Sequence, residues 1–85
     1  MHEMLYFTAD WCQPCKQMKP KVQKLADDAG KTMRVINIDS DSKVAAAYGV
    51  KTIPTVVLMK SGVKIEPAKM AWPAVKKIIR EQLAY

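Results

Sequence analysis

Two cysteines and one histidine are all that this 85-residue chain holds of the thiol and imidazole side chains. A structural zinc site takes four ligands, typically as two close pairs, so Cys12, Cys15 and His2 cannot complete one within a single chain. The same scarcity excludes a framework of structural disulfides, which needs more cysteines at wider spacing. In a cytosolic protein a close cysteine pair is catalytic or metal-binding rather than a staple. No run approaches the ~20 apolar residues of a membrane span. The opening MHEMLYF lacks a basic segment followed by a long apolar one, so no secretory signal is expected. Together these absences predict a cytoplasmic protein with no membrane partner. Acidic residues are also few, eight against 14 basic, for a net charge of +6. Such an excess serves either nucleic acid or plain solubility. The lysines are scattered from Lys16 to Lys77, with no aromatic interleaving and no groove-reading motif, which favours a solvated surface and no nucleic acid. Acidic protein surfaces remain natural partners.

Apolar residues make up 49% of the chain and charged ones 26%, an ordinary balance for a globular protein. The length fits one domain over residues 1–85, expected as a monomer. No linker, repeat or low-complexity stretch interrupts it. Met4 to Thr8 is short, apolar and aromatic and reads as a buried strand. From Cys15 to Ala29 the apolar residues Cys15, Met18, Val22, Leu25 and Ala26 follow one helical face, with Lys16, Lys19, Lys21 and Lys24 available for the wet side. Gly30 suits the C-terminal cap, and Pro20 should kink this helix. Met33 to Ile38 is a second strand. The polar run Asp39 to Ser42 should cap a short helix that ends at Gly49. Thr55 to Met59 and Val63 to Glu66 read as a hairpin around Lys60-Ser61-Gly62. A last helix carries Val75, Ile78, Ile79 and Leu83, with Pro73 near its first turn. The order β-α-β-α-β-β-α predicts an α/β fold: a mixed four-stranded sheet flanked by three helices.

Trp11-Cys12-Gln13-Pro14-Cys15 falls between the first strand and the first helix. A thiolate is the nucleophile of disulfide exchange, and a helix N-terminus stabilises it. Cys12, just before the helix, should be exposed, and Cys15, one turn in, shielded. Pro14 costs little, because first-turn N–H groups have no helical partner.

These residues resemble the thioredoxin family, and the resemblance covers nearly the whole chain. FTADWCQPCKQMKP is similar to its active-site stretch, with Lys16 and Pro20 in place. Val35-Ile36-Asn37-Ile38-Asp39 is similar to its second core strand, Tyr48-Gly49-Val50 and Thr52-Ile53-Pro54-Thr55 to its cis-proline loop, and Lys60-Ser61-Gly62 to its hairpin turn. The resemblance implies the thioredoxin fold, here without the family's extra N-terminal strand and helix. It implies a protein disulfide reductase in which Cys12 attacks a client disulfide and Cys15 resolves the mixed disulfide. It also implies a cis Ile53–Pro54 bond and client contacts by Trp11, Gln13, Pro14, Ile53, Pro54 and Met70. No cofactor is implied beyond the redox-active disulfide. Reducing equivalents would come from a flavin- and NADPH-dependent thioredoxin reductase, and clients would include disulfide proteins such as ribonucleotide reductase. Two departures stand out. Tyr6 occupies the place of a buried aspartate and Val35 that of its lysine partner, which implies an apolar floor beneath the disulfide. Met70 replaces a glycine in the client groove.

Other readings compete for several residues. A glutathione-dependent, glutaredoxin-like protein would suit the short chain, whereas the tryptophan of WCxPC and the IPT segment favour the thioredoxin side. A binding module of the same fold would use the cysteines for nothing and would keep its function without them. Tyr6 is expected to pack with its hydroxyl satisfied rather than relay protons. Trp72 is expected to staple the last helix rather than dock a client. His2 is expected to be inert, and Asp10 to cap its loop.

Overall fold

The computed structural model describes residues 3–84. His2 therefore lies outside the described residues. Four strands, β1 (Met4–Thr8), β2 (Met33–Asn37), β3 (Thr55–Leu58) and β4 (Val63–Ile65), form one sheet in the order β2-β1-β3-β4. β1 pairs in parallel with β2 and antiparallel with β3, and β3 pairs antiparallel with β4. Three helices, α1 (Gln13–Asp28), α2 (Ser42–Ala47) and α3 (Trp72–Leu83), flank it. This is the mixed architecture expected from the alternation of periods. A 3-10 turn at Pro67–Lys69 is an addition that the apolar pattern does not signal.

The strand β1 shows why its sequence is apolar at successive positions. Side chains alternate across a sheet. Met4 and Tyr6 join Val22 and Leu25 of α1 and Val75 and Ile79 of α3 on one face. Leu5 and Phe7 join Ile36 and Ala45 on the face that α2 covers. A central strand with both faces packed has no wet side, so the alternation of an amphipathic strand is absent. Trp72 is half-buried against the α1–α3 core, with Lys21 Nζ 5.5 Å from the ring centroid, so it packs the start of α3.

Both α1 and α2 end in the same way. After α1, Gly30 takes a φ of 67°, its N–H bonds the Asp27 carbonyl, and the Lys31 N–H reaches the Ala26 carbonyl. After α2, Gly49 takes a φ of 65°, with the equivalent pair of bonds to Ala46 and Ala45. This is the Schellman arrangement, and it requires a left-handed residue where glycine carries no steric penalty. The start of α2 differs from expectation. Asp41 is the N-cap residue, yet its side chain makes no capping bond. Instead Asn37 Oδ1 accepts from the backbone N–H of Asp39 at 2.8 Å and of Ser40 at 3.3 Å. The polar turn is organised by the last residue of β2, an amide that can donate and accept at once.

Candidate active site

β1 delivers the chain to Ala9, and α1 begins at Gln13. The intervening turn closes with the Cys12 N–H on the Ala9 carbonyl at 3.1 Å. Cys12 is the N-cap of α1, and its sulfur accepts from the Cys15 backbone N–H at 3.2 Å. A sulfur thus occupies the place that a capping oxygen usually takes, satisfying one of the orphan donors of the first turn. Cys12 and Cys15 are joined as a disulfide, with their Cα atoms 5.3 Å apart. The first turn of α1 contains no acidic residue, so the positive end of the helix faces the sulfur unopposed.

Cys15 is fully buried, as its place one turn into the helix predicts. Cys12 corrects an expectation. It is only 5% exposed, because Ala9, Ile38 and Ile53 pack around the pair. Two of the residues that surround it, Ile38 and Ile53, are remote in sequence. The peptide bond between Ile53 and Pro54 is cis, and Pro54 is buried. Contact between Ile53 and the disulfide cluster brings the IPT segment onto the sulfurs. Trp11 stands out from the surface at 66% exposure, and its indole Nε1 donates to Asp39 Oδ2 at 3.0 Å. Gln13 and Pro14 are exposed on the first turn. Met70 is not part of the collar. It packs against the core beneath α1 and α3 and lines an open cleft together with Thr52 and Thr55.

The floor of the site is Tyr6. Its side chain is fully buried, and its hydroxyl donates to the Cys15 carbonyl at 2.7 Å. Burial pushes the phenol up to about 12, so the hydroxyl keeps its proton throughout the physiological range. Val35 does not share this floor. It pairs in register with Tyr6, but it lies on the edge strand β2 and is 37% exposed. α1 and α3 leave this position to solvent, whereas α2 covers the neighbouring Ile36 on the other face.

Two polar residues, Asn37 and Asp39, to which the sequence assigns no role in the site, hold the rim. Asn37 Nδ2 donates to Asp10 Oδ1 at 3.3 Å, while its Oδ1 binds the turn that carries Asp39. Asp39 in turn holds the Trp11 indole. Asp10 ties its loop to the end of β2 through this long-range bond, and the turn itself is closed by backbone. Their signal in the sequence was only a polar pair ending a strand, which many loops share. On the opposite wall Glu66 accepts a short hydrogen bond from Thr52 Oγ1 and pairs with Lys69 Nζ at 3.1 Å. The Thr52 hydroxyl first, and Lys69 second, hold the Glu66 carboxyl below its usual range. Among the described residues no group of three or more histidine, cysteine or carboxylate side chains could hold a metal ion.

The decisive comparison is with sequence families: residues 2–83 match the family model described as Thioredoxin. The chain belongs to the thioredoxin family. A thioredoxin from Mycoplasma genitalium is 38% identical over 73 residues, covering 85% of this chain and 72% of the relative. One from Porphyra purpurea is 35% identical over 69 residues, covering 79% of this chain and 64% of the relative. The chain thus spans somewhat under two thirds of that relative's length. Thioredoxin 1 of Thermosipho africanus superposes with a TM-score of 0.80 at 28% identity, covering 95% of this chain and 93% of its own. The four-stranded sheet and three helices are therefore the thioredoxin fold, with the cysteine pair at the strand–helix junction of a thioredoxin.

Proposed function

We propose that this thioredoxin-family chain is a thiol–disulfide oxidoreductase that reduces protein disulfides. The observation that carries the reading is the Cys12–Cys15 disulfide at the N-terminus of α1 with Ile53 packed against it. In the reduced protein, Cys12 is the nucleophile. The Cys15 N–H and the helix end both favour its thiolate. The thiolate attacks one sulfur of the client disulfide. A Cys12–client bond forms, the client's S–S bond breaks, and the departing thiolate takes a proton from water. Cys15 then loses its proton and attacks the Cys12 sulfur. The Cys12–Cys15 bond forms, the second client sulfur leaves as thiolate, and two electrons have passed to the client.

Proton acceptance from Cys15 falls to water, because the group beneath it is a phenol that holds its own proton. The Trp11 ring, Gln13, Pro14 and the Ile53–Pro54 turn form the surface against which a client segment lies, with Met70 beyond it. Two electrons per cycle come from a partner reductase of the flavin- and NADPH-dependent type. The domain spans residues 1–85, and the protein works as a cytoplasmic monomer on disulfide-containing proteins, with ribonucleotide reductase an example of the class. No helix among the described residues is long and apolar enough to cross a membrane.

The test is reduction of a protein disulfide such as insulin, driven in parallel by a thioredoxin reductase with NADPH and by glutathione. Turnover with the reductase, lost in Cys12→Ser, is the expected result. Turnover by glutathione alone would move the protein to the glutaredoxin side. A biological function that survives replacement of both cysteines by serine would make it a binding module.

A further inference from the structure

An open cleft of about 570 Å³ adjoins the Ile53–Pro54 turn, and both residues flanking that turn, Thr52 and Thr55, line it. Its charged lining is Lys51, Lys64 and Lys69 against a single acid, Glu66. Glu66 is matched by Lys69 and by the Thr52 hydroxyl, so that pair adds no net charge. Lys64 Nζ donates to the Tyr48 carbonyl at 3.0 Å, which holds the ammonium in place without neutralising it. Lys51 is exposed and has no ion-pair partner among the described residues. The cleft therefore presents two uncompensated ammonium groups. Val50, Ile65 and Met70 supply apolar lining between them.

We propose that this cleft is a subsite for a carboxylate side chain of the client, and that Lys51 and Lys64 make the protein prefer disulfides with a glutamate or aspartate close in sequence to the attacked cysteine. The inference rests on the exchange function proposed above and names a feature of its substrates. Three facts on the molecule support it. The cleft borders the turn that packs on the disulfide, so a segment lying along Ile53 places a neighbouring side chain within its mouth. Its unmatched charge is of one sign. One of its two cations is already held by a backbone carbonyl, which reduces the ordering cost of pairing with a long side chain. The one acid in the cleft, Glu66, does not neutralise them, since Lys69 and the Thr52 hydroxyl already engage it.

The experiment is single-turnover reduction of short peptide disulfides by the pre-reduced protein. Matched peptides carry glutamate or glutamine at each of the three positions on either side of one cysteine. The wild type should reduce the glutamate form at one register about threefold faster than the glutamine form, the usual scale of one well-placed surface ion pair. Lys51→Gln should bring that ratio toward one, and Lys51→Glu should invert it. Raising the ionic strength to ~1 M, where screening acts within ~3 Å, should also level it. Lys77→Glu, on α3 and outside the cleft, should leave the wild-type ratio in place. Equal rates at every register would overturn the subsite while leaving the exchange function standing. A preference that Lys77→Glu weakens as much as Lys51→Glu does would overturn it too, by assigning the effect to net charge. Failure to reduce any peptide would overturn both.

Discussion

The two walls of the site are built on different physics. Beneath the sulfurs lies β1, where Met4, Tyr6 and Phe7 are fully buried and the one polar side-chain group among these three, the Tyr6 hydroxyl, is satisfied inside the protein. Across from it lie the turn before Pro54 and the segment from Glu66 to Met70, joined by Thr52, Glu66 and Lys69 at the surface. The first wall is dry, apolar and shared with the core of the fold. The second is held by exposed polar contacts, which contribute little to stability because water competes for both partners. The difference teaches that the reactive pair is placed by the same packing that folds the chain, while the polar contacts of the second wall can vary at little cost to the fold. Substitutions should therefore be expensive on the first wall and nearly silent for stability at Thr52, Glu66 and Lys69 on the second.

The largest effect is expected at the sulfurs themselves. Cys12→Ser should reduce single-turnover exchange to the level of protein-free buffer, and Cys15→Ser should accumulate a mixed disulfide that mass spectrometry detects on Cys12. Trapping on Cys15 in the Cys12→Ser protein instead would reverse the two roles. Next comes the floor. Tyr6→Asp removes a fully buried ring and puts a carboxylate in its place, which should destabilise the protein by about 3 kcal/mol or more in a denaturant melt. Tyr6→Phe keeps the ring and loses only the bond to the Cys15 carbonyl, for about 1 kcal/mol. If both substitutions left the midpoint unchanged, the dry wall would be no firmer than the wet one.

The same tyrosine sharpens the comparison through pH. Its pKa is raised from 10.0 to about 12 in the folded protein, so the folded state holds the proton more tightly than the unfolded chain does. The stability this contributes is fully present below pH 10.0 and is lost as pH rises toward 12. Melts across that window should slope downward for the wild type and less steeply for Tyr6→Phe. The smallest effect belongs to the second wall. Glu66 is held below its usual 4.5, so its contribution is present above that value and disappears as pH falls through the lower folded value. Glu66→Gln should melt close to the wild type at neutral pH, and the remaining difference should close in acid. A midpoint shift as large as that of Tyr6→Phe would remove the distinction between the walls.

Much of this contrast was legible before any coordinates. The apolar run at Met4–Thr8 marked a buried strand, and the helical spacing of Val22, Leu25 and Ala26 marked the face of α1 that packs on it. The cysteine pair at a strand–helix junction marked the chemistry. What misled was the accessibility of Cys12, drawn from its position relative to α1 alone. Its cover comes from Ile38 and Ile53, which no local pattern connects to it. Val35 misled for a related reason, since the resemblance that set it beneath the disulfide does not show that its strand is an edge.

By itself, the sequence determined what depends on neighbours along the chain. The elements follow from the period of their apolar residues, the helix ends from Gly30 and Gly49, and the place of the cysteine pair from its position at a helix start. These are short-range effects, in which a few bonds and one turn of backbone decide the outcome. Only the tertiary structure decided which distant residues meet. It brought Ile53 onto the disulfide and set the Tyr6 hydroxyl under Cys15, 9 residues away in sequence. It made Asn37 the hub between Asp10 and the Asp39 turn, and opened a cleft lined by Lys51 and Lys64 beside the proline. Such contacts depend on which strand is central, which is an edge and which face each helix covers. That choice is made by the burial of the whole apolar surface at once, and no single segment encodes it.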